Sequence, residues 1–408
     1  LEVEDVELDP EGWLMYQTGS LPTQITVYPN PWRPGIPNTD EISVLYLAPR
    51  NVESATLRIY DLKGRLITQY TSDRNPIPWN LTGADGRRVA FHSYAENLVA
   101  DDSNGAIDVF VRDLDASTTV RASVASDGGE SAAKSEYPGI SADGRYVTFR
   151  SEGTTLVPGD TNGKWDVFVH DRIAGTTERV SVRTGGVQVY GPSRDPAISA
   201  DGRYVVFRSG ASNMVANDTN GVADVFLHDR TTGNTSLISK KSNGTRAKGG
   251  TSTNPTVSAT GRYVVFDSAA RNLVNGDTNG VRDVFIRDRK LGKTKRVSVR
   301  KGGGQANGPS MDPTVSANGR RVAFSSLARN LVAGDTNGLE DAFVRNRKSG
   351  KTKRLSVRND GRQARGGASD EAAISANGQF VVFESKAKNL YWNDTNRKED
   401  VFRRGPLY

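Results

Sequence analysis

Ser199–Phe207 reads S-A-D-G-R-Y-V-V-F, and the phrase stands almost unchanged at Ser141–Phe149. Close variants run from Ser258 to Phe266, Ser316 to Phe324 and Ser375 to Phe383, and a degenerate first copy ends at Phe91. The closing phenylalanines fall 58, 58, 59, 58 and 59 residues apart. A second phrase, D-T-N-G-x-x-D-V-F, keeps this period. Asp160–Phe168, Asp218–Phe226 and Asp277–Phe285 are full copies, and Asp102–Phe110, Asp335–Phe343 and Asp394–Phe402 are variants. Units of this length, built from short strands, bury too little apolar surface to fold singly, so the six must share a core.

Within a unit the patterning predicts four strands. In the third, Pro196–Ser199 is a short apolar strand closed by the Asp201-Gly202 turn, and Arg203–Ser209 alternates. Asp224–Asp229 alternates again, and Thr235–Ser239 follows the Thr232-Gly233 turn. The D-G and N-G dipeptides supply the positive-φ residues that tight hairpins need. Four-stranded units at fixed spacing predict propeller blades; a β-solenoid, which stacks single strands, is the alternative.

S-A-D-G-R-x-V-x-F resembles the S-P-D-G-x-x-I-x-F phrase of TolB-like, WD40-like propeller repeats. The resemblance spans roughly residues 84–402, with Ala in place of the usual Pro. It implies an all-β, six-bladed ring around a channel, and a secreted or cell-surface bacterial protein. Propellers of this kind serve as interaction platforms and as non-catalytic domains attached to hydrolases, so the resemblance implies fold more than activity.

Residues 23–83 break the period. Tyr28-Pro29-Asn30-Pro31, Ile42–Leu47, Ala55–Ile67 and Trp79 resemble, in that order, immunoglobulin-like modules related to the flagellar hook-capping protein and to secretion-sorting modules. The family's last strand is missing, because Arg88–Ser93 already belongs to the first repeat. Part of the segment has a second reading, in which Leu66–Tyr70 supplies the fourth strand that the last repeat lacks after Phe402. The expected organisation is an acidic arm (1–22), a partial immunoglobulin-like sandwich (23–83) and the propeller (84–408).

Composition narrows the chemistry. Among 408 residues there is no cysteine, which excludes disulfides, thiolate catalysis and Cys-ligated metal centres, and there are only three histidines. No run approaches the ~20 apolar residues of a membrane-spanning helix. Charge is uneven: residues 1–11 hold six acids and no base, whereas 286–365 hold 20 bases and 6 acids. The basic stretch lacks interleaved aromatics and any nucleic-acid-binding motif, so nucleic acid is not an expected partner.

Three sets of residues are candidates for function. Oxygens at positions 1, 3 and 7 of each D-T-N-G loop suit a hard cation such as Ca²⁺, or else Asx-turns bonding nearby amides. These are Asp102, Asn104, Asp108; Asp160, Asn162, Asp166; Asp218, Asn220, Asp224; Asp277, Asn279, Asp283; and Asp335, Asn337, Asp341. No other cofactor is expected. A second set would serve assembly: Trp13, Leu14 and Tyr16 as strand-addition anchors, with Lys290, Lys293, Lys295, Arg296, Lys348, Lys351, Lys353 and Arg354 as charged contacts. The partner would be a second copy or another surface protein, or an acidic polysaccharide bound by the basic flank. The third set, Tyr137, Asp195, Asn254, Asp312 and Glu371, precedes the innermost strands and should rim the channel. Its carboxylates admit a polysaccharide-cleaving enzyme, but no nucleophile elbow or Ser-His-Asp set is present. His170 and His228 occupy a column that carries arginine in the other repeats, which predicts a solvent-facing strand site. The expected role is therefore a non-catalytic structural or interaction protein, self-assembling by β-strand addition.

Overall fold

The computed structural model describes residues 87–216, 218–391 and 399–407, together with the strands Gln24–Val27, Ala55–Tyr60, Leu66–Ser72 and Trp79–Asn80. The chain is an all-β, six-bladed propeller of four-stranded antiparallel blades. Blade 2 runs outward through Ser135–Ile140, Tyr146–Ser151, Asp166–Asp171 and Thr176–Arg179. The innermost strands of successive blades pack against one another. Blade 6 has three strands among the described residues: Ser369–Ile374, Val381–Ser385 and Asp400–Arg404.

The two repeated phrases end on partners. Phe207 sits opposite Phe226 in the antiparallel register, their rings stacked 6.2 Å apart, and the same pair recurs in every blade. Within S-A-D-G-R-Y-V-V-F each polar residue has a job. The Ser199 hydroxyl donates to Asp201 (2.5 Å) and accepts from the Tyr204 amide (2.9 Å), closing the turn. Arg203 reaches across to the outer hairpin in a two-pronged bond to Asp229, both contacts at 2.8 Å. Gly202 has φ +71°, and a Cβ there would stand 2.1 Å from the ring of Tyr146 in the preceding blade. Only glycine meets both demands.

Blades are joined by apolar clusters in which the phenylalanine face of one meets the valine face of the one before. Val167 and Val169 of blade 2 pack with Val205, Phe207 and Phe226 of blade 3, and equivalent clusters follow at each junction from blade 1 to blade 6. Hydrogen bonds stitch the outer rims as well. The Thr235 hydroxyl donates to Val182 O (2.5 Å) and its amide to Thr184 Oγ1 (3.0 Å) of the preceding unit.

Two sequence expectations change near the start. Trp79–Asn80 is the innermost strand of blade 1, with Trp79 opposite Phe91 and Asn80 opposite Ala90, so Trp79 begins the propeller. Leu66–Ser72 pairs with Ala55–Tyr60, which pairs in parallel with Gln24–Val27. That sheet is separate from blade 6, so Leu66–Tyr70 is not the closing strand. The remainder of the proposed immunoglobulin-like pattern and the acidic arm, with Trp13, Leu14 and Tyr16, lie outside the described residues.

Candidate functional site

Each innermost strand from blade 2 to blade 6 carries a β-bulge. In blade 3, Arg194 pairs with Arg208 and Ala197 with Val206, leaving Asp195-Pro196 unpaired between them. The bulge recurs at the same position in the other four blades. Proline cannot donate to the ladder and is confined to such places. The bulged residues are Tyr137, Asp195, Asn254, Asp312 and Glu371, with φ of 55°, 54°, 49°, 51° and 47°. Left-handed backbone at a non-glycine residue costs about 1–3 kcal/mol and collects at functional sites. These residues lie inside the strands, not ahead of them as their sequence suggested. Neighbouring bulges meet across a blade junction: Asn254 Nδ2 donates to Asp312 Oδ1 at 2.6 Å.

The side chains around these bulges are divided by charge. On the side of blades 2 and 3, Arg150 pairs with Glu136 (2.6 Å) and lies 3.8 Å from Asp195. Its guanidinium is 4.0 Å from the centroid of the Tyr137 ring and 4.6 Å from that of Trp165. Arg208 binds Asp195 from the far side at 2.5 Å. His92 stacks on Tyr137 at 5.8 Å and accepts the Tyr137 amide proton on Nδ1 (3.3 Å). Burial, eased by Glu136, lowers its pKa to about 4. His92 is therefore a neutral structural acceptor at physiological pH.

Blades 4 to 6 supply the acidic side: Asp267, Asp312, Glu340, Asp370, Glu371, Glu384 and Glu399. Arg282 contacts Asp267, which also accepts from Thr253 Oγ1 at 2.8 Å, and Lys386 is 3.3 Å from Glu399. Burial, with the neighbouring Asp267 and Glu371, pushes Asp312 up to about 6. Burial beside Asp370 pushes Glu340 up to about 7, and burial beside Glu371 does the same to Glu384. Asp370, Glu384 and Glu399 each bring an oxygen within 4.8 Å of the others. Protonation relieves the repulsion among them, so this side can donate as well as accept protons near neutral pH.

Comparison of the repeats shows where this site diverges from the scaffold. Serines that tie the two inner strands together recur blade after blade, as in Ser193 to Ser209 at 3.0 Å and Ser310 to Ser326 at 2.8 Å. The columns beside them do not repeat. Arg150, Arg208, Asp267, Ser325 and Glu384 are one such column; Trp165, Ala223, Arg282, Glu340 and Glu399 are another. This alternation of fixed and variable columns is readable in the sequence, and it would have found Arg150, Glu340 and Glu384.

In the D-T-N-G loops the candidate oxygens bond nearby side chains and backbone. In blade 2, Asn162 Nδ2 donates to Asp166 Oδ2 (2.9 Å) and Val189 O (3.0 Å), and Asn162 Oδ1 caps the Lys164 amide (2.8 Å). Asp166 also accepts from Ser181 Oγ at 2.5 Å, and burial pushes its pKa up to about 6. The cation among these oxygens is Arg179, 3.0 Å from Asp160 and 3.7 Å from Asp166. Arg121, Arg296 and Arg354 stand in the same place among Asp102 and Asp108, Asp277 and Asp283, and Asp335 and Asp341. Asp218, Asn220 and Asp224 form the same network in blade 3, with Arg246 as the cation. Asn104, Asn279 and Asn337 repeat the role of Asn162. Most of the sixth loop lies outside the described residues.

Two further placements correct the sequence reading. Arg296 and Arg354 are held in those loops, their side chains 7 % and 8 % exposed, so they are not surface contacts. Lys290, Lys293, Lys295, Lys348, Lys351 and Lys353 are exposed, as expected. His170 and His228 are buried, bonded through Nδ1 to Thr177 (2.8 Å) and Thr235 (2.9 Å), where Arg287 instead reaches Thr294 (2.9 Å). Arginine fits that column because its head bonds the preceding unit's carbonyls, not because the site faces solvent.

No family model matches the chain, and no curated protein matches it. Among solved structures it is similar to TolB from Acinetobacter baumannii, at 15 % identity over 87 % of this chain and 80 % of that one, TM-score 0.43. It is also similar to an oligogalacturonate lyase in complex with manganese (10 % identity, 78 % and 73 % covered, TM-score 0.47). A third similar structure is the β-propeller domain of the trilobed protease from Pyrococcus furiosus, described as having an open velcro topology (12 %, 76 % and 77 %, 0.44). At such identities the likeness carries nothing about activity, and the propeller assignment stands on the strand pairing itself.

Proposed function

We propose that the chain is a non-catalytic interaction protein of the bacterial envelope or exterior, that the bulged residues rim one mouth of its channel, and that this mouth, divided by charge, takes a polypeptide segment of mixed charge. One observation carries this reading: columns that build the blades are nearly constant from repeat to repeat, while those at the mouth differ in charge, size and aromaticity. A scaffold needs no such divergence; a binding site for an asymmetric ligand does. Cationic groups suit Asp312, Glu340, Glu371 and Glu384, and anionic groups suit Arg150 and Arg208. A uniformly acidic polysaccharide would meet repulsion over half the mouth. The location rests on the resemblance of the repeats to TolB-like propellers. Probing peptide and glycan arrays with the full chain tests the proposal. Peptides carrying both charge signs should bind, and Arg150→Ala or Glu371→Gln should weaken them at least about tenfold. Binding confined to glycans would overturn it.

One observation favours a second reading, an enzyme acting on polysaccharides. Burial holds Glu340 and Glu384 at about 7, so both are partly protonated near neutral pH, the state a general acid requires. Turnover of uronic-acid polymers or glycosides that disappears in Glu340→Gln would establish it.

A further inference from the structure

The outer rims of blades 4 and 5 carry a lysine array with no structural duty. Lys290, Lys293 and Lys295 of blade 4 and Lys348, Lys351 and Lys353 of blade 5 occupy three equivalent positions on the outer turn and strand, all exposed. The same positions hold Asp115, Thr118 and Val120 in blade 1, Ile173, Thr176 and Glu178 in blade 2, and Thr231, Asn234 and Ser236 in blade 3. The blade therefore folds without lysine there. Inward positions of the same strands keep their role, since Thr294 bonds Lys240 O and Thr352 bonds Val299 O, both through their hydroxyls.

The charge is also uncompensated. Glu178 of blade 2 pairs with Arg230 of blade 3. In the corresponding columns one junction later but one, Lys295 takes the place of Glu178 and Arg347 that of Arg230. An ion pair is replaced by two positive charges. Among the described residues none of the six lysines has an ion-pair partner; the one lysine that has is Lys386.

We propose that this face docks the acidic stretch Glu2–Glu11 of a second copy of the chain, independently of what the mouth binds. Lys293 and Lys295, like Lys351 and Lys353, are two residues apart on an outermost strand and so project from one face, about 6.5 Å apart. Glu2 and Glu4, and then Glu7, Asp9 and Glu11, keep the same two-residue period. An extended acidic segment laid along the blade 5 strand brings its carboxylates over Lys351 and Lys353 while adding to the sheet edge; in blade 4, where Ser242 already bonds the backbone of Thr294, the segment meets Lys293 and Lys295 through side chains alone. Lysine on a sheet edge ordinarily deters strand addition by other chains. Here it deters every strand except one carrying acids at that period, which makes the contact selective. The occupant is another copy because this sequence contains the complementary segment.

Sedimentation velocity of the full chain at about 0.05 M and about 0.5 M salt tests the proposal, since exposed charge pairs are screened over this range. Association should appear at low salt and weaken at least about tenfold at high salt. Deleting residues 1–11 should abolish it, as should K293E/K295E/K351E/K353E, whose sites are exposed and leave the blades folded. Reversing the six acids of residues 1–11 to lysine should restore association only with that quadruple variant. Four results would overturn the proposal: a monomer under all conditions, association untouched by either change, no rescue by the reversed pair, or cross-links from the acids to lysines of the same molecule. Loss of dextran sulfate binding in the quadruple variant with association unchanged would also overturn it, and would assign the face to an external polyanion.

Discussion

Arg246 reaches the carboxylate of Asp218 at 3.8 Å from a column that holds Gln188, Gln305 and Gln363 in other blades. In those blades the guanidinium comes from Arg179, Arg296 and Arg354, a column that in blade 3 is Leu237. The positive charge has moved to another column of the repeat while its target has stayed. What is kept is therefore a guanidinium against the first aspartate of the loop and not the residue that brings it.

Removing that charge leaves two buried carboxylates uncompensated. Arg179→Leu should destabilise the protein by about 3 kcal/mol. The double variant Arg179→Leu/Gln188→Arg copies the arrangement of blade 3 and should recover at least half of the loss. Denaturant unfolding of wild type, single and double variants measures both. No recovery would mean that Arg179 acts through packing alone.

A guanidinium stands among the loop oxygens, and we expect it to serve there in place of a metal ion. Millimolar calcium or a chelator should move the melting temperature by less than about 1 °C, because a ligand stabilises only what it binds. A rise of several degrees with calcium would return these loops to the status of cation sites.

The acidic cluster of blades 4 to 6 works against the fold when ionised. Glu340 and Glu384 have folded-state pKa values of about 7 against an ordinary 4.5. Between those values the folded state holds more protons than the unfolded state, so their contribution to stability declines as pH rises toward 7. His92 acts oppositely: its value falls from 6.5 to about 4, so its contribution grows as pH rises through that window. Glu340→Gln/Glu384→Gln should raise the melting temperature by about 2–4 °C at pH about 8 and by less than 1 °C at pH about 5. Equal effects at both values would show that these carboxyls titrate normally.

Glu371 is strained twice, by a φ of 47° and by Asp370 and Glu399 beside it. Glu371→Gly relieves both and should stabilise the protein by about 0.5–1 kcal/mol. The same change should weaken ligand binding at the mouth. Gain of stability with loss of binding is the trade expected of a residue kept for function. A destabilised variant would show that the side chain serves the fold.

The blades were legible in the sequence because the constant residues act locally or along a fixed register. Phe207 and Phe226 end their phrases and face each other, and Gly202 and Ser199 shape their own turn. The bulge was hidden because Pro196 reads as the start of a strand, while the strand in fact begins at Ser193 and continues past it. Arg296 and Arg354 close runs of K-T-K-R and read as surface charge, but alternation along the strand turns the last residue inward. His170 was misplaced for a related reason: arginine in its column looked like solvent exposure, and only the neighbouring blade supplies the carbonyls that make a buried guanidinium acceptable. Contacts between blades, which no single repeat encodes, decided the last of these; the first two turned on pairing within a blade.

The central claim is that the divided mouth binds a polypeptide of mixed charge and performs no chemistry on it. Peptide and glycan arrays probed with wild type and with Arg150→Ala, alongside turnover assays on uronic-acid polymers, test it most directly. The account predicts binding to peptides bearing both charge signs, lost at least about tenfold in the variant, with no turnover. Glycan turnover abolished by Glu340→Gln, or an array in which no mixed-charge peptide binds, would contradict it.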